Sequence, residues 1–171
     1  VRNGRYSSIT GVSGLCVKTC FNTFVPLITK AGLFTMDKLY RVVIIDDDEF
    51  SADNLCLELK KYNRLSIDGM ARNGANGRKL LEKVHPDLLF LDVELPDMKG
   101  MELLEQLRGA ITWNMQIVFY TAYDKYMIYA IRGAAFDYLL KPIDKKELEG
   151  IIDCFMKKAE ESAAASLVIP P

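Results

Sequence analysis

The sequence predicts a doubly wound, three-layer α/β fold around a five-stranded parallel sheet, because two periodicities alternate along it. Short, continuously apolar runs alternate with segments in which apolar residues recur at helical spacing, and this happens five times between residues 38 and 160. Helical spacing indicates amphipathic helices, and short unbroken apolar runs indicate strands covered on both faces. A chain that alternates strand and helix favours parallel strands joined by right-handed crossovers.

The predicted strands cover residues 41–45, 66–72, 87–91, 116–120 and 138–140. All but the second are short, mostly apolar runs, and residues 66–72 (SIDGMAR) are a mixed segment followed by the turn Asn73-Gly74. Each predicted helix carries one apolar stripe. The stripes are Ala52, Leu55, Cys56 and Leu59; Leu80, Leu81 and Val84; Met101, Leu104 and Leu107; Met127, Ala130, Ile131 and Ala134; and Leu148, Ile151, Ile152, Phe155 and Ala159.

The overall charge is nearly balanced, since 22 Lys and Arg residues stand against 23 Asp and Glu residues. A formal net charge of −1 gives no positive excess to drive general binding to nucleic acid or to a membrane surface. No apolar run reaches the roughly 20 residues that cross a bilayer. The four cysteines, Cys16, Cys20, Cys56 and Cys154, are best interpreted as free thiols of a reducing compartment, which indicates a cytoplasmic protein.

The acidic residues divide the chain, because all of them lie from Asp37 onward while residues 1–36 carry four basic side chains. We expect residues 1–37 to be an N-terminal extension that is either non-native or disordered. The organised domain is expected over residues 38–160. Residues 161–171, which are Ala-rich and then apolar with two prolines, are expected to be a linker or a truncated edge.

Polar side chains stand directly after four of the predicted strands. They are Asp46, Asp47, Asp48 and Glu49 after the first strand, Asp92 after the third, Thr121 after the fourth and Lys141 after the fifth. Open parallel sheets bind their ligands beyond the carboxyl ends of the strands. We therefore expect carboxylates, a hydroxyl and an ammonium group to meet at one edge of the sheet.

Clustered carboxylates need a cation, since two like charges about 4 Å apart cost roughly 4 kcal/mol at an effective dielectric constant of 20. Hard oxygen ligands suit Mg²⁺, which commonly bridges to phosphate. Zinc is disfavoured because His85 is the only histidine and no cysteine stands at a strand end. Mg²⁺, a hydroxyl and an ammonium group are suited to the oxygens of a phosphoryl group, and a remaining carboxylate can serve as its acceptor.

Four motifs in this order carry a family resemblance: VVIIDDDE (42–49), LLFLDVELPDMKG (88–100), VFYTAYD (118–124) and FDYLLKPID (136–144). The stretch from residue 41 to residue 160 resembles the response-regulator receiver domain of two-component systems. The resemblance implies a (βα)5 flavodoxin-like fold. It also implies a signalling module, and not an enzyme, that is phosphorylated by a partner histidine kinase.

The resemblance implies roles for the acidic residues. Asp92 matches the aspartate that accepts the phosphoryl group. Asp46 and Asp47 match the paired acids that bind Mg²⁺, with Asp47 as a direct ligand and Asp46 as a ligand through water, and the backbone carbonyl of Glu94 would be a further ligand. The acid run is one residue longer than usual, so the pair could also be Asp47 and Asp48. We keep the first assignment because the apolar run ends directly before Asp46.

The same resemblance assigns Thr121 and Lys141 to contacts with the phosphoryl group. Tyr138 matches the aromatic residue whose rotation follows movement of the Thr121 hydroxyl, although a packing or interface tyrosine is the other interpretation. Tyr120 is interpreted as a packing or surface residue.

The block over residues 121–142 is also similar to receivers that precede a LytTR-type (LytR/AlgR-like) DNA-binding domain. That similarity implies transcription regulation, with DNA bound only through an output domain missing from this chain. The face formed by the fourth helix, the fifth strand and the fifth helix would form a homodimer or dock an effector.

Two alternatives remain open. In a haloacid-dehalogenase-like phosphatase, Asp46 would be the nucleophile and Asp48 the acid–base residue. Phe50 stands where that family has a hydroxyl residue, and no paired acids follow the late lysine at a further strand end. In a binding-only module, the same fold would act without phosphorylation.

Overall fold

The computed structural model describes residues 38–122 and 136–166, which form one five-stranded sheet with helices on both faces. The elements are β1 (Tyr40–Ile45), α1 (Glu49–Leu59), β2 (Leu65–Ala71), α2 (Gly74–Val84), β3 (Leu88–Leu91), α3 (Gly100–Leu107), β4 (Gln116–Thr121), β5 (Asp137–Leu140) and α4 (Lys145–Ser166). The strands pair in parallel in the order β2-β1-β3-β4-β5, so the sheet is open, with β2 and β5 at its edges. The doubly wound α/β fold with five parallel strands is confirmed.

The strand limits follow the apolar runs closely. Each strand begins and ends within one residue of its predicted limits, and β1 ends at Ile45, directly before the acid run. The helix predicted over residues 127–134 lies outside the described residues. The last helix continues to Ser166, so the backbone is still helical beyond residue 160, where a linker was expected to begin.

One apolar layer lies between the sheet and the helices α1 and α4. Val42 and Ile44 of β1 point into this layer, and both are fully buried. The predicted stripes of the two helices meet them: Ala52, Leu55, Cys56 and Leu59 from α1, and Leu148, Ile151, Ile152 and Phe155 from α4.

The second apolar layer lies on the other face of the sheet, beneath α2 and α3. Val43 and Ile45 of β1 point into it, because successive side chains of a strand alternate between the two faces. The buried residues of α3 are Leu103 and Leu107, while the predicted Met101 and Leu104 pack at the margin of this layer. None of the helices in the described part of the chain has the length and apolar character needed to span a bilayer.

The helix α2 lies unusually close to the sheet at Gly77. A Cβ atom added at Gly77 would lie 2.6 Å from Cδ1 of Ile45 and 3.2 Å from its Cγ2. Ile45 is fully buried and β-branched, so its side chain has little freedom to move aside. The close approach of α2 to β1, the strand that leads into the acid run, therefore depends on a residue without a side chain.

We predict opposite effects of alanine at two helical glycines. Gly77→Ala should lower the free energy of unfolding by about 1–2 kcal/mol, because overpacking of the core outweighs the gain in helix propensity. Gly150→Ala is the matched control, since a Cβ at this exposed position of α4 meets no atom within 4 Å. It should raise the free energy of unfolding by about 0.5–1 kcal/mol. Urea denaturation of both variants would measure this, and stabilisation by Gly77→Ala would contradict the packing argument.

Candidate functional site

The pairing of β1 with β3 brings two acidic residues together at the carboxyl edge of the sheet. Ile45 and Leu91 are register partners, so Asp46 and Asp92 leave the two strands at the same level. The Asp92 amide donates to the Ile45 carbonyl oxygen at 2.8 Å, which extends the ladder by one hydrogen bond. Both side chains are buried, with 1% of Asp46 and 7% of Asp92 exposed.

Lys141 reaches this pair of acids from the edge strand β5. Its amide donates to the carbonyl oxygen of Thr121 at 2.9 Å, which fixes the residue beyond the end of β4. Strands lie about 4.8 Å apart, so β5 is roughly 10 Å from β3, and a long side chain is needed to cross that distance. The Lys141 ammonium lies 2.8 Å from Oδ1 of Asp46 and 2.7 Å from Oδ2 of Asp92.

The ionisation of this group reflects burial and charge pairing. Burial raises the pKa of Asp46, and the hydrogen bond and charge of Lys141 only partly oppose that rise. Burial lowers the pKa of Lys141, but its hydrogen bonds to Asp46 and Asp92 outweigh this, so the net pKa is raised. Lys141 therefore stays charged and neutralises one of the two buried carboxylates.

A third carboxylate completes an acidic cluster. Asp46, Asp47 and Asp92 each offer an oxygen atom, and these atoms all lie within 4.8 Å of one another. Asp47 is exposed, so the cluster is open to solvent on its side. Three carboxylates beside one ammonium group retain a net negative charge, and an all-oxygen donor set of this kind fits a hard divalent cation such as Mg²⁺.

Asp48, the third aspartate of the run, has a different position. Its Oδ1 accepts from the amide of Phe50 at 3.2 Å and its Oδ2 accepts from the hydroxyl of Ser51 at 2.5 Å, so it caps the N-terminus of α1. Its own amide donates to Oδ1 of Asp46 at 3.0 Å. The two acids that share the cluster with Asp92 are thus Asp46 and Asp47, and Asp48 lies outside it.

Comparison with known proteins gives the family. Residues 42–153 match the family model described as the response regulator receiver domain. The chain belongs to the response regulator receiver family. Receivers are signalling domains, and the four strand ends that carry the acidic cluster, Thr121 and Lys141 all lie within the matched segment.

Curated relatives and solved structures agree with this. The chain is 34% identical over 128 residues to an uncharacterized response regulatory protein of Vibrio cholerae, covering 75% of this chain and 53% of that protein. It is 39% identical over 111 residues to the transcriptional regulatory protein BtsR of Escherichia coli strain K12, covering 65% of this chain and 46% of that protein. The chain thus spans about half the length of these relatives.

Two solved structures share the fold over nearly their whole length. The response regulatory domain of mrkE from Klebsiella pneumoniae gives a TM-score of 0.65 at 25% identity and covers 71% of this chain and 98% of that chain. The REC domain of AraT from Geobacillus stearothermophilus gives a TM-score of 0.62 at 27% identity and covers 72% of this chain and 98% of that chain.

In this receiver, Thr121 ends β4 beside the cluster and is fully buried. Its hydroxyl oxygen hydrogen-bonds to no group in the part of the chain that the structure describes. A buried hydroxyl without a partner is uncommon and calls for an explanation, such as a ligand that supplies the missing contact.

The loop after β3 is held against Asp92 by α3. The amide of Glu94 donates to Oδ1 of Asp92 at 3.3 Å, and the amide of Gly100 donates to the carbonyl oxygen of Val93 at 2.8 Å. A Cβ atom at Gly100 would collide with the carbonyl oxygen of Asp92. The sequence marked Gly100 only as the start of a helix, and its close approach to the backbone of Asp92 was not anticipated. The use of the Glu94 carbonyl as a ligand stays a prediction.

Tyr138 is half-buried beside the second apolar layer, and its register partner on β4 is Phe119. Its role as a switch stays a prediction. The predicted dimer or effector face also stays untested, because the helix over residues 127–134 lies outside the described residues.

Tyr120 is a residue whose place in the site was missed. Its ring is 99% buried, and the Lys141 ammonium lies 5.0 Å from the ring centroid. Its hydroxyl contacts the hydroxyl of Ser51, and burial raises its pKa to about 12, so the group stays protonated. The sequence did contain a signal for this position. Tyr120 stands directly before Thr121, so both residues lie at the carboxyl end of the same strand, where the site was expected.

We predict that Lys141→Met destabilises the protein in a pH-dependent way. Removing one partner of a buried ion pair should lower the free energy of unfolding by about 3–5 kcal/mol at pH 7. The pKa of Asp46 should rise further in the folded variant, because the opposing effect of Lys141 is gone. The folded state then holds a proton that the unfolded chain releases, so stability falls as the pH rises through the raised pKa.

The loss should therefore be smaller at pH 4 than at pH 7 when urea denaturation of variant and wild type is compared without metal. Lys145→Met is the control, since Lys145 is 73% exposed and should change stability by less than about 0.5 kcal/mol. An equal loss at both pH values would show that the lysine contributes packing and not charge.

Proposed function

We propose that this receiver accepts a phosphoryl group on Asp92 from a histidine kinase, with Mg²⁺ bound at the acidic cluster. The observation that carries the proposal is the placement of Lys141, whose ammonium group joins Asp92 to Asp46 beside an exposed third acid, Asp47. A merely structural ion pair would not need that further carboxylate at the solvent edge.

The transfer forms one bond and breaks one. A carboxylate oxygen of Asp92 attacks phosphorus, the phosphorus–nitrogen bond to the kinase histidine breaks, and the electron pair leaves with the imidazole nitrogen. Bound Mg²⁺, held by Asp46, Asp47, Asp92 and the carbonyl of Glu94, would neutralise charge on the phosphoryl oxygens. Lys141 would contact another of these oxygens, and the contact of its ammonium group with the Asp92 carboxylate supports this role.

The buried hydroxyl of Thr121 gives the phosphoryl group a further donor. Its lack of a partner among the described residues supports this role, because a phosphoryl oxygen would satisfy it. Movement of Thr121 toward the phosphoryl group would open space near the end of β4, and Tyr138 on the neighbouring strand would rotate in response. The altered surface would then dimerise or dock an effector.

The output proposed is transcription regulation in the cytoplasm. The relative BtsR is a transcriptional regulatory protein, and this chain covers 46% of that relative. DNA would be bound by an output domain outside these residues, of the LytTR type that residues 121–142 resemble. The charge of this chain gives no reason to expect that the receiver itself binds DNA.

We predict that Asp92→Asn abolishes covalent phosphorylation. Wild-type protein incubated with Mg²⁺ and acetyl phosphate should gain the mass of one phosphoryl group, and it should fail to do so in EDTA. Asp92→Asn should gain no mass, because an amide oxygen is a poor nucleophile. Asp53→Asn, at an exposed position of α1, should behave as wild type.

Intact mass spectrometry separates the alternatives. An adduct that persists in Asp92→Asn but disappears in Asp46→Asn would favour the phosphatase-like nucleophile. A folded wild-type protein that gains no mass from acetyl phosphate or from a histidine kinase would favour the binding-only module.

We predict that Mg²⁺ stabilises the folded protein through Asp47. A ligand at a hundredfold excess over its Kd should raise the free energy of unfolding by about 2.7 kcal/mol. Asp47→Asn should weaken Mg²⁺ binding at least about tenfold, with little change in the metal-free protein because Asp47 is exposed. Thermal unfolding over a range of MgCl2 concentrations would measure both effects, with Asp53→Asn as the control. Equal Mg²⁺ responses in both variants would remove Asp47 from the metal site.

A further inference from the structure

Tyr120 contacts two parts of the site that are far apart in the sequence. Its ring lies beneath the Lys141 ammonium at 5.0 Å, and its hydroxyl contacts the Ser51 hydroxyl in the first turn of α1. The residue is 99% buried in the layer between the sheet and the helices α1 and α4. A side chain that only fills this layer would need neither contact.

The hydroxyl of Tyr120 leads to the acid run by a chain of hydrogen bonds. The Ser51 hydroxyl donates to Oδ2 of Asp48 at 2.5 Å, and the amide of Asp48 donates to Oδ1 of Asp46 at 3.0 Å. The Tyr120 hydroxyl hydrogen-bonds to the same Ser51 hydroxyl, which places it next to this chain of contacts. The chain ends at Asp46, which also binds Lys141. The contacts therefore form a closed ring.

The aromatic ring has a second use at this position. Bound Mg²⁺ would draw on the negative charge of Asp46 and Asp92, so the two carboxylates would attract Lys141 less strongly. The negative face of an aromatic ring attracts an ammonium group that lies within about 6 Å of its centroid. Tyr120 would thus keep Lys141 at the site when the carboxylates no longer hold it fully, which an aliphatic side chain of similar size would not do.

We propose that Tyr120 is a positioning residue for phosphoryl transfer to Asp92. Its ring holds the Lys141 ammonium at the accepting carboxylate, and its hydroxyl, through Ser51, holds the acidic loop in the geometry that binds Mg²⁺. This inference rests on the proposed function. It adds that the hydroxyl of Tyr120 serves metal binding, whereas its ring serves group transfer.

Four variants separate these properties in the full chain. Tyr120→Phe keeps the ring and removes the hydroxyl, Ser51→Ala breaks the same chain at its next member, and Tyr120→Leu removes the ring as well. Phe155→Leu is the matched control, because it removes a buried ring from the same apolar layer at a residue outside the site. Tyr120→Met replaces Tyr120→Leu if the latter is unfolded at the assay temperature.

The first measurement is the Mg²⁺ affinity from thermal unfolding in MgCl2. Tyr120→Phe and Ser51→Ala should each weaken Mg²⁺ binding by about two- to tenfold, which is the factor expected for one hydrogen bond. The double variant should be no weaker than either single variant, because both changes break one chain of contacts. Phe155→Leu should lower the unfolding temperature but leave Mg²⁺ affinity unchanged.

The second measurement is the rate of phosphorylation by acetyl phosphate at saturating Mg²⁺. In this reaction the oxygen–phosphorus bond to Asp92 forms, and acetate leaves with the electron pair of the bond that breaks. Tyr120→Leu should react about three- to thirtyfold more slowly than Tyr120→Phe, which keeps the ring, and this is the factor expected for a cation–π contact. Phe155→Leu should keep the wild-type rate.

Other outcomes would overturn the inference. If Tyr120→Leu reacts as fast as Tyr120→Phe, or if Phe155→Leu slows the reaction equally, the ring serves packing alone. If the effects of Tyr120→Phe and Ser51→Ala on Mg²⁺ affinity add, the hydroxyl does not act through Ser51. These results leave wild-type phosphorylation intact, whereas failure of the wild type to react would overturn both the proposed function and this inference.

Discussion

Two buried carboxylates share a single ammonium group at the ends of neighbouring strands, and the site is organised around that shortage of positive charge. Asp46 and Asp92 are brought together by the pairing of β1 with β3, which the apolar layers on both faces enforce. Lys141 offsets one of the two charges. Because a third acid, Asp47, adds to the excess, the fold holds a concentration of negative charge that only a bound cation relieves fully.

The packing of the domain keeps this concentration in place. The acidic loop is anchored by the cap that Asp48 provides for α1, and the loop that follows Asp92 is anchored by the close approach of Gly100. The backbone thus sets the positions of the charged groups before any ligand arrives. A preorganised group of this kind needs little rearrangement at the moment of reaction, which is how fixed charges contribute most to group transfer.

Much of this arrangement could be predicted from the sequence. The limits of most strands could be predicted because the apolar run ends at a charged or turn-forming residue, and the residues at the carboxyl ends follow from those limits. Asp46, Asp92 and Lys141 were placed together on this basis, and their side chains are in direct contact in the structure. The assignment of Asp46 and Asp47 to the cluster depended on where β1 ends. A strand one residue longer would have favoured Asp47 and Asp48.

The remaining features depend on distances that no pattern in one sequence encodes. The closeness of Gly100 to the Asp92 carbonyl follows from how α3 packs on the sheet, and an isolated glycine looks the same whether or not it has that neighbour. The position of Tyr120 under Lys141 requires the twist of the sheet and the rotamers of both side chains. An aromatic residue in an apolar strand is most simply a packing residue, so its polar contacts could not be distinguished in advance.

The site draws its positive charge from the end of β5, a strand of four residues at the edge of the sheet. Among the described residues this strand is paired on one side only, and we expect it to open by local unfolding more readily than the central strands. Each opening would withdraw Lys141 and leave the carboxylates unneutralised. The charge state of the site is therefore linked to local unfolding of this edge. We expect a ligand that engages Lys141 to slow amide exchange along β5, and a partner that binds this edge to change the reactivity of Asp92.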